Sequence, residues 1–168
     1  MYLESKRLRL IPLNGKQLRL IISDISEFEK SIGYRYAGEA MEGVIYKIFQ
    51  GQIEPVEASE RNYLWNTFWM LALKDDPAII GSICFKRQPT AEGSVELGYG
   101  INLEYGSRGY MTEAIGVMIL WAFQQPEALQ IVAEIDKDNI ASQKVVEKNG
   151  LHKFKTVDNF DWYVIERE

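Results

Sequence analysis

The stretch "VELGYGINLEYGSRGYMTEAIGVMILWAF", Val95 to Phe123, changes its period halfway along. Its opening, read from Ser94 as "SVELGYGIN", alternates as a strand does. Its close repeats Met111, Ala114, Ile115, Met118 and Ala122 at three-and-four spacing, as one buried helix face requires. A helix therefore starts near Gly109, and "EYGSRGY" joins the two elements. The first N–H groups of a helix have no internal partner, and the helix dipole adds partial positive charge there. Gly106 and Gly109 let the backbone approach a bulky ligand, Arg108 adds a fixed charge, and Ser107 and Thr112 add hydroxyls. These residues suit an anion seat, for which phosphate is the commonest occupant. Taken alone they suit equally a turn in which glycine only satisfies geometry. The spacing matches neither a Walker loop nor a dinucleotide-binding fingerprint.

Upstream, "FWMLALK" (Phe68 to Lys74) and "AIIGSICFK" (Ala78 to Lys86) read as two further strands. "DDP" and "RQPTAEG" separate the three, and both are turn compositions that predict antiparallel hairpins. Downstream come a strand, "LQIVAEID" (Leu129 to Asp136), and a short helix, "NIASQKVVEKNG". Asn139 or Asp138 can cap that helix, and Gly150 suits the left-handed position beyond its end. "HKFKTV" and "DWYVIER" close the chain as two strands around Asp158-Asn159. Towards the N-terminus, "RLRLIPL" predicts a first strand ending in a turn at Asn14-Gly15. One or two short helices follow between Lys16 and Gly51, then a polar connection around Gln52 to Glu60. The sum is one mixed α/β domain over residues 1–168.

Composition excludes several classes of function. With 168 residues, a net charge of −5 and no basic tail or stripe, the chain is not expected to bind nucleic acid. A mildly acidic surface suits a cationic substrate, and many neutral ones as well. One cysteine, Cys84, and one histidine, His152, allow no internal disulfide and no Cys/His zinc site, so no metal is expected. "YLESKRLRLIPL" after Met1 carries charges where a signal peptide needs an apolar run. No run approaches the roughly 18 apolar residues of a membrane span. The expected location is the cytoplasm, away from membranes.

"VELGYGINLEYGSRGYMTEAIGVMILWAF" followed by "VAEIDKDNIASQKVVEKNGLHKF" resembles the GNAT superfamily of acyl-CoA-dependent N-acetyltransferases. The likeness is to the branch of ribosomal-protein N-terminal acetyltransferases (RimJ/RimL-like), and "RLRLIPL" also suits that branch. It covers an acyl-CoA-binding core at 79–154 and leaves 1–69 as a variable, acceptor-side part. The resemblance implies a mixed, mostly antiparallel sheet of about seven strands, splayed into a V-shaped cleft and flanked by helices. It implies acetyl-CoA as co-substrate, its pyrophosphate lying on the amides of Gly106, Ser107, Arg108, Gly109, Tyr110, Met111 and Thr112. Tyr99, Gly100 and Ile101 would offer backbone groups to the pantetheine arm, and an N–H near Ile101 would polarise the thioester carbonyl. Asn139 matches the family's asparagine at the pantetheine end, and Lys148 or Arg108 would reach the adenosine phosphates. The phosphate loop departs from the family's pattern at Gly106 and Met111, while Gly109 is retained.

Acetyl transfer to an amine needs a neutral nucleophile, a polarised carbonyl and a tolerable leaving thiolate. Glu134 matches the position where several family members carry a base, and a charge within an apolar strand is costly to bury. Glu96 is the second carboxylate candidate. Many members use a tyrosine as acid where this chain has Val146; the RimL-like branch suggests Ser142 instead, three residues after Asn139. A thiol pKa near ~8.5 makes thiolate a workable leaving group even without an acid. Against these stand plainer roles: a solvent-facing Glu134, a salt-bridged Glu96, and Ser142 as a helix-surface or capping hydroxyl. Cys84 reads as a small buried hydrophobe, His152 as a surface residue, and "NYLWNTFW" as core or as acceptor-cleft wall. The function expected is transfer of an acetyl group to a primary amine, of a protein N-terminus or a small molecule, by a monomer or homodimer. The rivals are a catalytically degenerate CoA-binding regulator and a nucleotide-binding regulator.

Overall fold

Strands β1 (Leu3–Glu4) and β2 (Leu8–Pro12) open the computed structural model, which describes residues 1–168. Asn14 does not turn the chain back: it starts helix α1 (Gly15–Ser23). Its side chain accepts from the Gln17 N–H at 2.9 Å, and the Gln17 side chain accepts from the Asn14 N–H at 3.1 Å. This reciprocal capping explains why an Asn-Gly pair reads as a turn and folds as a helix start. Helix α2 (Ile25–Ile32) follows, capped by Asp24 and ended by Gly33 at φ 78°. Strand β3 (Arg35–Tyr36) leads to α3 (Gly43–Ala58), which takes in most of the expected connection at Gln52 to Glu60. Phe49, Ile53 and Val56 carry one buried stripe through that region, and its polar residues are the helix's outer faces.

Short helix α4 (Tyr63–Asn66) precedes β4 (Phe68–Leu73), β5 (Ala78–Phe85) and β6 (Ser94–Ile101), which pair antiparallel as their turns predict. Then come α5 (Tyr110–Phe123), β7 (Gln130–Asp136), α6 (Ile140–Lys148), β8 (His152–Val157) and β9 (Phe160–Glu166). The sheet runs β1-β2-β4-β5-β6-β7-β9-β8, with β3 added parallel to β5. The expected seven strands are joined by two of two residues each, β1 and β3.

Alternation divides the sheet between two cores. Trp69, Leu71, Val95, Leu97, Ile131, Ala133 and Ile135 join α5 and α6 on one face. Phe68, Met70, Ala72 and Ile79 join Leu18, Ile21, Phe28 and Phe49 of α1, α2 and α3 on the other. Burying each of the larger of these side chains, Val, Leu, Ile, Phe and Met, is worth about 1.5–3 kcal/mol against leaving it exposed. The Phe49 and Phe68 rings stack at 3.7 Å, which fixes α3 over the middle of the sheet.

Strand β6 is held on both sides for only part of its length. It pairs parallel with β7 at Ser94↔Gln130, Val95↔Ile131 and Glu96↔Val132, and no further. Beyond Glu96 it stays with β5 as far as Gly81↔Ile101, while β7 stays with β9 to Asp136. Ile80 is an extra residue in the β4–β5 ladder, a bulge that bends β5. At Gly81 a Cβ would stand 2.9 Å from the Ile101 Cα and nearer still to the Gly100 carbonyl oxygen. Lacking that atom, Gly81 lets the end of β6 draw against β5 and away from β7. The expected V-shaped opening follows.

Candidate active site

The loop between β6 and α5 contains a 3-10 turn, Leu103–Tyr105, followed by two left-handed residues, Ser107 at φ 60° and Gly109 at φ 82°. A non-glycine residue in that region costs about 1–2 kcal/mol, so Ser107 carries backbone strain. Asn14, Asp24 and Asn139 cap their helices with side chains, whereas Gly109 leaves the start of α5 uncapped. The first backbone bond of that helix runs from the Glu113 N–H to the Gly109 carbonyl at 3.1 Å. The amides of Tyr110, Met111 and Thr112 precede it and are left for an anion. Arg108 projects into solvent over the Tyr105 ring, 5.7 Å from its centroid.

Helix α6 brings its two ends to different parts of this region. At its start, Asn139 accepts from the Ser142 N–H at 3.1 Å; the Asn139 amide nitrogen and the Ser142 hydroxyl make no hydrogen bond. The Tyr99 hydroxyl donates to the Ser142 carbonyl at 3.2 Å, tying β6 to α6 across the opening. Burial pushes the Tyr99 phenol up to about 12, so it remains a donor at neutral pH. At the far end, Asn149 donates to the Thr112 carbonyl at 3.2 Å, tying the end of α6 to the first turn of α5; the preceding Lys148 is exposed. Val146, at the family's tyrosine position, is fully buried.

On the α3 face the opening continues as a cleft of about 930 Å³. Ser82, Cys84, Gly98, Gly100 and Tyr99 line it, with Phe49 and Phe68 as one wall and Lys86 and Glu96 beside them. Glu96 is ion-paired with Lys86 and stands opposite Val132 in the ladder. Glu134, one alternation beyond Val132 on the same face, is exposed and lies opposite Trp162 of β9. Its carboxylate therefore meets no burial cost, and only its match to the family position still singles it out. Cys84 is half-buried and lines this cleft, where it was expected to be plain core. Burial pushes its thiol up to about 12. Trp65 and Trp69 are core, as expected, and His152 is exposed.

Three contributors went unseen in the sequence. Ser5 and Arg7, near the N-terminus, both hold Glu113 in the first turn of α5, and Arg7 also donates to the Arg108 carbonyl at 2.8 Å. Nothing local marks them, because Arg7 alternates with Arg9 like any strand residue.

A family model described as "Acetyltransferase (GNAT) domain" matches residues 7–152. The chain belongs to the GNAT acetyltransferase family. Among relatives of this acetyltransferase, the uncharacterized N-acetyltransferase YjdG of Bacillus subtilis (strain 168) is 26% identical over 166 residues, 98% of each chain. The ribosomal-protein-S5-alanine acetyltransferase of Vibrio fischeri superposes with a TM-score of 0.69 at 16% identity, covering 99% of this chain and 96% of that one. A ribosomal L7/L12 α-N-protein acetyltransferase, RimL, solved with coenzyme A, gives 0.68 at 11% identity over 99% and 98%. These neighbours share the fold. No helix of this acetyltransferase is long and apolar enough to cross a membrane.

Proposed function

We propose that the enzyme transfers the acetyl group of acetyl-CoA to a primary amine by direct attack in a ternary complex, within the cytoplasm. The observation that carries this reading is the coincidence of two features: the gap between β6 and β7, and the uncapped start of α5 at its end. In this reading the CoA pyrophosphate occupies the amides from Gly106 to Thr112, with Arg108 and Lys148 beside it. The pantetheine arm runs along the free edge of β6 at Tyr99, Gly100 and Ile101 towards Asn139. The amine enters from the α3 face.

The amine nitrogen bonds to the thioester carbonyl carbon, the C–S bond breaks, and coenzyme A leaves as thiolate. A β6 amide near Ile101 stabilises the oxyanion. Glu96 accepts the proton lost by the amine, directly or through water, because it lines the cleft; Glu134 is the alternative on the same face. In this reading the Ser142 hydroxyl, which makes no hydrogen bond of its own, protonates the thiolate.

Charge in the cleft narrows the acceptor. Its charged lining residues are Lys86, Arg87 and Glu96, one excess positive charge in a chain of net −5. Arg87 is exposed and unpaired, and Ile45 and Ile48 of α3 are apolar and exposed at the same cleft. This supports an amine on an apolar body carrying an anionic group, as in an amino acid or a peptide with an acidic side chain near its N-terminus, over a polyamine. The test measures melting temperature with coenzyme A and acetyl-CoA, then thiol release with leucine, leucinamide, an N-terminal peptide and spermidine. A ligand that binds only the folded state raises the melting temperature. A shift with both CoA species and turnover of the acid-bearing amines is the expected result. No shift would overturn the cofactor assignment; turnover of spermidine alone would overturn the acceptor class.

A further inference from the structure

Glu113 is a carboxylate in the first turn of the helix whose start is read above as the phosphate seat. A negative charge there complements the helix dipole but repels a bound pyrophosphate. The fold answers this from the other end of the chain. The Arg7 side chain reaches Glu113 with Nε at 2.5 Å from Oε1, and the Arg7 backbone N–H donates to Oε2 at 3.1 Å. The Ser5 hydroxyl donates to the same Oε2 at 2.7 Å. The guanidinium also lies over the Tyr110 ring, 4.3 Å from its centroid. Its Nη2 donates to the Arg108 carbonyl at 2.8 Å and would be 3.2 Å from a Cβ on Gly109. One side chain thus touches three successive parts of the seat: Arg108, the left-handed Gly109 and the first helical residue.

We propose that Arg7 is a positioning residue for acetyl-CoA, which fixes the loop carbonyl at Arg108 so that the following amides face outward, and neutralises Glu113 beside the bound phosphates. The inference rests on the proposed placement of the pyrophosphate. Burial pushes the Glu113 carboxyl up, yet the bonds from Ser5 and Arg7 outweigh it and hold the group below its ordinary value. The carboxylate is therefore ionised wherever the enzyme binds its co-substrate, and without Arg7 it would stand uncompensated.

The test compares wild type, Arg7→Gln, Arg7→Lys, Glu113→Gln and the double variant Arg7→Gln/Glu113→Gln. Two donors are used: acetyl-CoA and acetyl-pantetheine, which lacks every phosphate. Arg7→Gln is expected to raise the KM for acetyl-CoA roughly tenfold, the scale of a like charge a few ångströms from a phosphate in a partly solvated site, with kcat held within about twofold. Acetyl-pantetheine KM stays unchanged, and the double variant recovers most of the loss. Arg7→Lys restores charge without the fork and falls between; it also serves if Arg7→Gln does not fold. An equal loss with both donors, or a double variant as weak as Arg7→Gln, overturns the inference. A wild type that binds no acetyl-CoA overturns the phosphate placement itself, and the inference with it.

Discussion

The Tyr99 hydroxyl and the Ser142 carbonyl, 3.2 Å apart, bridge the two arms of the cleft at the point where β6 has already left β7. Replacing Tyr99 by Phe removes the one side-chain bond between β6 and the start of α6 and leaves the carbonyl to solvent. The expected loss is about 1 kcal/mol of stability, with a raised KM for acetyl-CoA. The pH dependence has a defined sign. Folding raises the phenol from its ordinary 10 to about 12, so its contribution is full below 10 and is lost as pH rises towards 12. Denaturant melts of wild type and Tyr99→Phe should therefore converge across that window; a constant difference would contradict the burial of the phenol.

Gly81 permits the departure of β6, and Gly81→Ala should abolish it. The new methyl meets backbone, not a yielding side-chain end, so the strand has to move. A destabilisation of about 1–3 kcal/mol is expected, together with loss of the acetyl-CoA thermal shift. Normal stability and binding in that variant would mean that the opening does not depend on this contact.

Of the two carboxylates, Glu96 should matter more. General-base loss commonly costs on the order of a hundredfold, so Glu96→Gln is expected to lower kcat by about that factor and Glu134→Gln by only a fewfold. Steady-state thiol release decides between them, and the reverse order would move the role to Glu134.

Cys84 faces the cleft but should be sluggish. With its thiol pushed up to about 12 by burial, little thiolate exists at neutral pH. Alkylation by iodoacetamide, followed by mass spectrometry, should run on the order of a hundredfold or more slower than for free cysteine. Labelling at the free-cysteine rate would show that the group is neither desolvated nor shielded.

Local signals carried much of this architecture. The strands from Phe68 to Asn102 and the helix after Gly109 announce themselves by period, because each buries one face. The Asn139 cap and the left-handed Gly150, at φ 86°, are equally local. The residues from Lys16 to Glu60 were harder. Asn14-Gly15 supports a turn or a helix start by the same chemistry, and the polar residues near Pro55 conceal a stripe of only Phe49, Ile53 and Val56. Arg7 and Glu113 are 106 positions apart, and no pattern within a strand or helix could join them. Cys84 packs against the second core, as its alternation suggests, and its Sγ would stand 3.3 Å from a Cβ on Gly98 across the ladder; that it also borders the cleft depends on α3, which is remote in sequence.

A sheet this size has two kinds of border. Of the two outer ones, β1 is only two residues long, and β8 is exposed along its whole length and carries Lys153 and Lys155, charges that discourage a neighbouring chain from adding itself. The other kind lies within the molecule, where β6 runs from Leu97 to Ile101 beside a gap instead of a partner. Another protein's strand can dock on β8 only by meeting those lysines, and it can reach the border at β6 only by threading a slot between two packed layers. The interior border thus keeps its hydrogen-bonding capacity without the usual hazard of self-association. The gap admits only something slender, and a group with its own hydrogen-bond donors and acceptors would extend the sheet there.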